Sequence, residues 1–317
     1  MANPDLTPDI PESDLQQEVL IVGLARNCAK TLPATVHKLA AAMPPFRAVR
    51  WMVVESDSSD DTVTELQRLC DTISGFEYRT LGQLAERMPE RTERLAHCRN
   101  VYLDHLAQLN ARGPHAHTGF LFIADLDGVN NELTAEGVRS CWARDDWSVC
   151  TANQRGLYYE IWALRHTQWC PGDCWEQSRF LERYTGSAGN ARKVSVYGRM
   201  INIPQHADWI EVDSAFGGLA IYRTQALGDA RYVGLTVQRR PVCEHVAFHA
   251  AIRARGERIF INPRLINADT SDLIAQYWPE RERVALATRS IVFRALLRLF
   301  FGQQVSKDLR RLLQSLH

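Results

Sequence analysis

The first 130 residues alternate between short apolar runs and longer amphipathic stretches. Glu18–Ala25 is rich in Val, Leu and Ile and stops at Arg26-Asn27, the pattern of a buried strand. Thr31 to Met43 spaces Leu32, Val36, Leu39, Ala40 and Met43 as a helix does, and Pro44-Pro45 ends it. A second strand over Val49–Val54 runs into the polar loop Glu55 to Thr62, which offers several N-caps for a helix over Val63–Cys70. Phe76–Arg79 reads as a third short strand. Arg91–Leu109 reads as a long amphipathic helix carrying Leu95, Val101, Leu103, Leu106 and Leu109. The apolar run Phe120–Ala124 then ends in Asp125-Leu126-Asp127-Gly128.

Strand–helix alternation predicts a parallel sheet with crossover helices, and such sheets bind ligands outside the carboxyl ends of their strands. Three polar clusters fall at that edge: Ala25-Arg26-Asn27, Glu55 to Asp61, and Asp125 to Asn130. Alternate residues of a strand point the same way, so Asp125 and Asp127 project together while Leu126 turns to the core. Two carboxylates that close repel unless neutralised, and a hard divalent cation shared with a phosphate would do so. An Asp-Gly turn explains the same residues without a ligand. No G-x-G-x-x-G follows the first strand, and there is no G-x-x-x-x-G-K-[ST], which disfavours a dinucleotide fold or P-loop.

The second half is less regular. Trp147–Ala152 and Tyr158–Leu164 read as strands, and Cys170–Val196 as a long polar loop. Gly217-Gly218 precedes a strand, which permits close approach of a ligand and equally suits a bulge or turn. A helix is expected from Cys243-Glu244-His245 to Arg255, stopped by Gly256, and a last strand over Arg258–Pro263. His245 and His249 lie four apart and share a helix face. Ser290–His317 patterns as a basic amphipathic helix, able to lie on an anionic membrane surface or to pack on protein.

Composition narrows the partners. Of 317 residues 45% are apolar, enough for one large α/β domain or two small ones. Thirty-seven basic and 37 acidic residues balance, so charge does not point to nucleic acid. No apolar run approaches the roughly 20 residues of a membrane span. Met1–Glu18, acidic with three prolines, resembles neither a signal nor a transit peptide and reads as a loose lead-in. The eight cysteines are scattered and expected to be reduced; Cys170 and Cys174 alone are close, without the second pair a zinc site needs.

These motifs, in this order, resemble the GT-A fold glycosyltransferases, nucleotide-sugar enzymes with an Asp-x-Asp metal motif. Arg94 to Asn100, Gly217 to Arg223 and Cys243-Glu244-His245 further resemble the capsule-associated α-mannosyltransferase group. The resemblance covers residues 18–267 and implies a GT-A-like (Rossmann-like), mostly parallel sheet flanked by helices. It would comprise a nucleotide-binding half (18–131) and a smaller mixed acceptor half (132–267), between a lead-in (1–17) and a helical extension (268–317). It implies that Asp125 and Asp127 hold Mn2+ or Mg2+ against the donor diphosphate, with His245 as a candidate third ligand. Glu55 and Asp57 would meet the base and ribose, Arg26 and Arg99 the phosphates, and Gly217 and Gly218 the sugar or acceptor pocket. Glu244 would be the base that deprotonates the acceptor, with Asp213 as its competitor. The implied donor is a nucleotide-diphosphate sugar and the acceptor a glycan or lipid-linked sugar, in surface polysaccharide synthesis. The expected place is the cytoplasm, peripheral at the inner face of the membrane. A sugar nucleotidyltransferase would need glycines that Leu24 to Cys28 lacks; a non-catalytic module would not need the acidic pair.

Overall fold

The computed structural model describes residues 8–111 and 118–271, and the segment expected to form the basic C-terminal helix lies outside them. The described residues up to Asp269 form one compact unit. It opens with a helical turn, α1 (Glu12–Leu15), followed by β1 (Glu18–Ala25), α2 (Leu32–Ala42), β2 (Ala48–Glu55), α3 (Thr62–Thr72) and β3 (Phe76–Thr80). The chain continues through α4 (Arg91–Asn110), β4 (Thr118–Ala124), α5 (Ala135–Arg139), β5 (Val149–Arg155), α6 (Cys174–Thr185) and α7 (Ala188–Ser195). It ends in β6 (Ile210–Val212), β7 (Leu219–Arg223), α8 (Glu244–Ala254) and β8 (Ile259–Asp269).

The eight strands form one mixed, mostly parallel sheet in the order β3-β2-β1-β4-β7-β5-β8-β6. β1 pairs in parallel with β2 and β4, β2 with β3, and β5 with β8. β7 runs antiparallel between β4 and β5, and β6 antiparallel on β8. The carboxyl ends of β1, β2, β4 and β5 therefore share one edge with the amino end of β7.

Strand interiors are apolar on both faces because helices cover both. Val19, Ile21, Trp51, Val53, Phe120 and Phe122 join one core with Leu32, Val36 and Leu39 of α2 and Leu66 and Leu69 of α3. Between them Leu20, Val22, Met52, Val54, Leu121 and Ile123 are equally buried, on the other face. α4 contacts β1, β2, β4 and α8. The lead-in is tied down in part: Ile10 is buried, and Asp14 accepts from Trp142 Nε1 at 2.8 Å.

Three expectations are corrected. Tyr158–Leu164 is not a strand but an irregular segment with a turn, flanked by isolated bridges at Leu157 and Arg165. Its apolar residues are buried without period, Tyr158, Ile161, Ala163 and Leu164 inward and Tyr159, Glu160 and Trp162 half-exposed. Within Cys170–Val196 the structure contains two helices rather than a loop. The Asp173 side chain caps α6 through the Trp175 and Glu176 amides, Gly186 closes it with a left-handed φ of 64°, and Ser187 caps α7. The last strand does not stop at Pro263 but continues to Asp269, because the β5–β8 register shifts there and tolerates a residue without an N–H.

Behind β7 the fold buries His249, whose Nδ1 pairs with Ser214 Oγ at 2.9 Å and Nε2 with Tyr222 Oη at 2.8 Å. Both hydroxyls can donate or accept, so a neutral ring is fully satisfied. Burial, with the nearby Arg99 charge, lowers its pKa from 6.5 to about 3. The unfolded chain takes up this proton below about pH 6.5 and the native state does not, so His249 costs stability as pH falls toward 3. We expect the destabilisation caused by His249→Gln to shrink as pH is lowered from 6.5 to 4.5. A gap that stays constant in urea unfolding across that range would contradict a neutral buried ring.

Candidate active site

The three polar clusters meet at the carboxyl edge of the sheet. There they line a cleft of roughly 340 Å³, bounded by Leu24–Arg26 at the end of β1, Val54, Ser56 and Asp57 around the end of β2, Asp125–Asp127 after β4, and the first turns of α4 and α8. Four arginines (Arg26, Arg91, Arg94, Arg99) and five carboxylates (Asp57, Asp125, Asp127, Glu160, Glu244) face it. Such a nearly balanced but charge-dense wall suits a ligand that carries both an anion and a cation.

Arg99 forms the back of the cleft. It is buried, donates from Nε to Glu244 Oε1 at 2.9 Å and lies 3.7 Å from Asp125 Oδ1. Its guanidinium carbon sits 5.3 Å from the Phe216 ring centroid and 5.7 Å from that of Tyr232. Burial opposes the charge, but Tyr102, Glu244, Tyr232 and Asp125 outweigh it and hold Arg99 well above its ordinary pKa. Glu244, at the first turn of α8, is thus committed to Arg99.

Asp125 and Asp127 lie side by side, the first half-open to the cleft and the second exposed. Burial pushes the Asp125 carboxyl up to about 7; Arg99 opposes the shift, and Asp127 and Glu244 add to it. A hard cation at these oxygens would remove the mutual repulsion. Among the described residues no group of three His, Cys, Asp or Glu side chains could hold a metal. An ion at the aspartate pair therefore fits only with further oxygen ligands from a bound anion and water. His245 lines the cleft, but its ring is stacked on Phe216 at 4.0 Å, and both its nitrogens are buried without a hydrogen-bond partner. Burial and the Arg99 charge hold it well below its ordinary pKa, so it is neutral.

Asp57 has a left-handed φ of 60° and directs one carboxylate oxygen to the Ala85 amide at 2.8 Å. The other, Oδ2, has no hydrogen-bond donor and lies 3.8 Å from Arg94 Nε. Arg26 is exposed and reaches the Asp57 carbonyl at 3.4 Å. Glu55 points away from the cleft: Ser58 N donates to one oxygen at 2.9 Å and Thr80 Oγ1 to the other. Asp213 is also outside the cleft lining, exposed and 3.5 Å from Arg253 Nε.

Gly217 and Gly218 do not line the cleft; they brace it from behind. Both have positive φ, and a Cβ at Gly218 would come within 2.9 Å of Val129. The Gly218 carbonyl accepts from the Asp125 amide at 2.9 Å, fixing the acidic loop to the start of β7. Three fully buried amide side chains secure this junction. Asn130 Nδ2 donates to the Asp125 and Gly218 carbonyls, Asn267 Nδ2 to Asn130 Oδ1 and the Gly217 carbonyl, and Gln154 Nε2 to the Gly217 carbonyl.

Nothing in the chain's periodicity singles out this network, Glu160 or Trp162, and Arg91 and Arg94 also belong to the cleft. The two arginines carried a readable signal, since Arg91, Arg94, Cys98 and Arg99 recur at helical spacing on one face of α4. Glu160 was hidden inside a run assigned to a strand.

No protein-family model matches the sequence, and no curated protein matches it. Solved structures resemble it at low identity. The mannosyltransferase PcManGT from Pyrobaculum calidifontis, in complex with GDP-Man and Mn2+, is 16% identical with a TM-score of 0.45, over 87% of this chain and 63% of its own. S. aureus TarS is 14% identical with a TM-score of 0.48, over 86% of this chain and 40% of its own. The glucosyl-3-phosphoglycerate synthase from Mycobacterium tuberculosis, in complex with UDP, is 13% identical with a TM-score of 0.39, over 88% of this chain and 83% of its own. The chain thus spans less than two thirds of the length of the first two.

The amide network yields a direct test. Asn267→Leu removes two buried donors and leaves Asn130 Oδ1 short of one, a loss of about 1–3 kcal/mol per unsatisfied group. We expect urea unfolding to show a loss of that size, and Gly218→Ala to destabilise as well through its positive φ. Wild-type stability in both variants would show that the junction is not under constraint.

Proposed function

We propose that this protein is a metal-dependent glycosyltransferase that moves a sugar from a nucleotide-diphosphate sugar to a hydroxyl of a glycan or lipid-linked acceptor. The observation that carries this reading is the meeting of Asp125 and Asp127 with four arginines in one cleft at the carboxyl edge of the sheet. Nucleoside, diphosphate and metal each find matching chemistry there.

Asp57 Oδ2, a buried acceptor lacking a donor, suits an N–H of the nucleoside base or a ribose hydroxyl. Arg26, Arg91 and Arg94 suit the phosphate oxygens, because a guanidinium matches an oxyanion in a two-pronged fashion. Mn2+ or Mg2+ at Asp125 and Asp127 would neutralise the departing diphosphate as a Lewis acid. Arg99, held in place by Glu244, adds a fixed positive charge beside Asp125 that needs no rearrangement as the charge develops. Leu126, buried between the two aspartates, keeps the loop anchored while both carboxylates face outward.

A thermal-shift screen of UDP-, GDP- and dTDP-sugars with Mn2+ should raise the melting midpoint for at least one, since ligand binding stabilises the native state. With that donor, Asp125→Ala and Asp127→Ala should each lower release of nucleoside diphosphate by at least about a hundredfold. Undiminished turnover by either variant, with the metal chelated, would remove the reading.

A further inference from the structure

The cleft holds a carboxylate that the donor chemistry leaves unused. Glu160 lies in the irregular segment after β5, half-buried, and lines the cleft together with Trp162 two residues on. Among the described residues it makes no ion pair; burial, with the Asp125 and Glu244 charges, raises its pKa to about 8 while Arg99 and the Gly217 amide oppose the shift, which brings it into the range where a general base works. Glu244, by contrast, has its carboxylate engaged by Arg99 at 2.9 Å. A carboxylate bound to a buried guanidinium gives up that partner only at a large cost, because the charge left behind is unpaired. It is therefore ill suited to accept a proton during turnover. The cleft's other carboxylates belong to the aspartate pair and to Asp57, which is held by the Ala85 amide.

Trp162 adds a second, independent element. Its indole Nε1 donates to Asp173 Oδ2 at 2.8 Å, and Arg165 reaches the same carboxylate at 3.3 Å, so the ring is fixed in orientation while half-exposed at the cleft. A fixed, partly open aromatic face beside a carboxylate is the chemistry that holds a sugar ring: apolar C–H faces rest on the aromatic surface while a hydroxyl is hydrogen-bonded.

We propose that Glu160 is the general base for an acceptor saccharide packed on Trp162, and that Glu244 is a positioning residue that holds Arg99. This assignment rests on the reading of the cleft as a nucleotide-sugar site. In the step, the acceptor oxygen forms a bond to the anomeric carbon as its proton passes to a Glu160 carboxylate oxygen. The bond from the anomeric carbon to the diphosphate oxygen breaks, and the leaving oxygen keeps the electron pair. Attack from the side opposite the leaving group inverts the anomeric centre.

The test uses the full chain with whichever of UDP or GDP and its sugar binds in Mn2+, and with methyl glycosides as acceptors. Glu160→Gln should lower kcat by about 10²–10⁴, with nucleotide affinity unchanged and a melting midpoint no lower than wild type. Formate should restore part of the activity of Glu160→Ala. Glu244→Gln should instead weaken nucleotide binding, and Trp162→Phe should raise the acceptor KM while leaving nucleotide affinity intact. Proton NMR of the product should show inversion. Near wild-type kcat in Glu160→Gln, or retention of configuration, would overturn the assignment and leave the donor reading standing. Failure of wild type to bind any nucleoside diphosphate with Mn2+ would overturn both.

Discussion

The site depends on a single buried cation. Arg99 enters the protein interior from α4, and a guanidinium there is tolerable only when carboxylates and aromatic faces surround it. Glu244 from α8, Asp125 from the loop after β4, Phe216 before β7 and Tyr232 supply that surrounding. One charge thus ties together elements far apart in sequence. It also sorts the acids of the cleft: Glu244 is engaged, Asp125 is partly compensated, and Asp127 and Glu160 make no ion pair among the described residues.

A second constraint acts from behind. The acidic loop must leave β4 beside an antiparallel strand rather than a parallel one, and the left-handed backbone at Gly217 and Gly218 makes that junction. Buried carbonyls there need donors, which Asn130, Gln154 and Asn267 provide. The polar interior at this edge is therefore structural, while the polar wall facing the cleft is available to a ligand. Both follow from one topological fact: the carboxyl ends of β1, β2, β4 and β5 meet the amino end of β7 at the same edge.

Much of this was legible in the sequence. The first-half strands and helices appear within a residue or two of their expected limits because apolar period and caps are local signals. Arg26, Asp57, Arg99, Asp125, Asp127, Glu244 and His245 do share a cleft. Glu55 does not face it, because Thr80 of β3 and the Ser58 amide engage both its oxygens, a pairing that only the folded sheet creates. Asp213 stands beside Arg253 for a similar reason. The helices α6 and α7 do not stand out in the sequence although Asp173 and Ser187 are ordinary caps, since the residues they bury, Cys174, Ser178, Ala191 and Ser195, are small or polar and leave no stripe of large apolar side chains. Glu160 was missed because an aromatic run reads as a strand, and nothing local distinguishes a strand from a buried irregular segment.

The central claim is that the cleft binds a nucleoside diphosphate through a cation at Asp125 and Asp127. Titration calorimetry with UDP and GDP, in Mn2+ and then in a chelator, tests it most directly. The account predicts that one nucleotide binds in Mn2+ and that its affinity falls by more than about tenfold, 1.4 kcal/mol, in the chelator or in Asp127→Ala. Equal affinity with and without the metal, or no binding by either nucleotide, would contradict it.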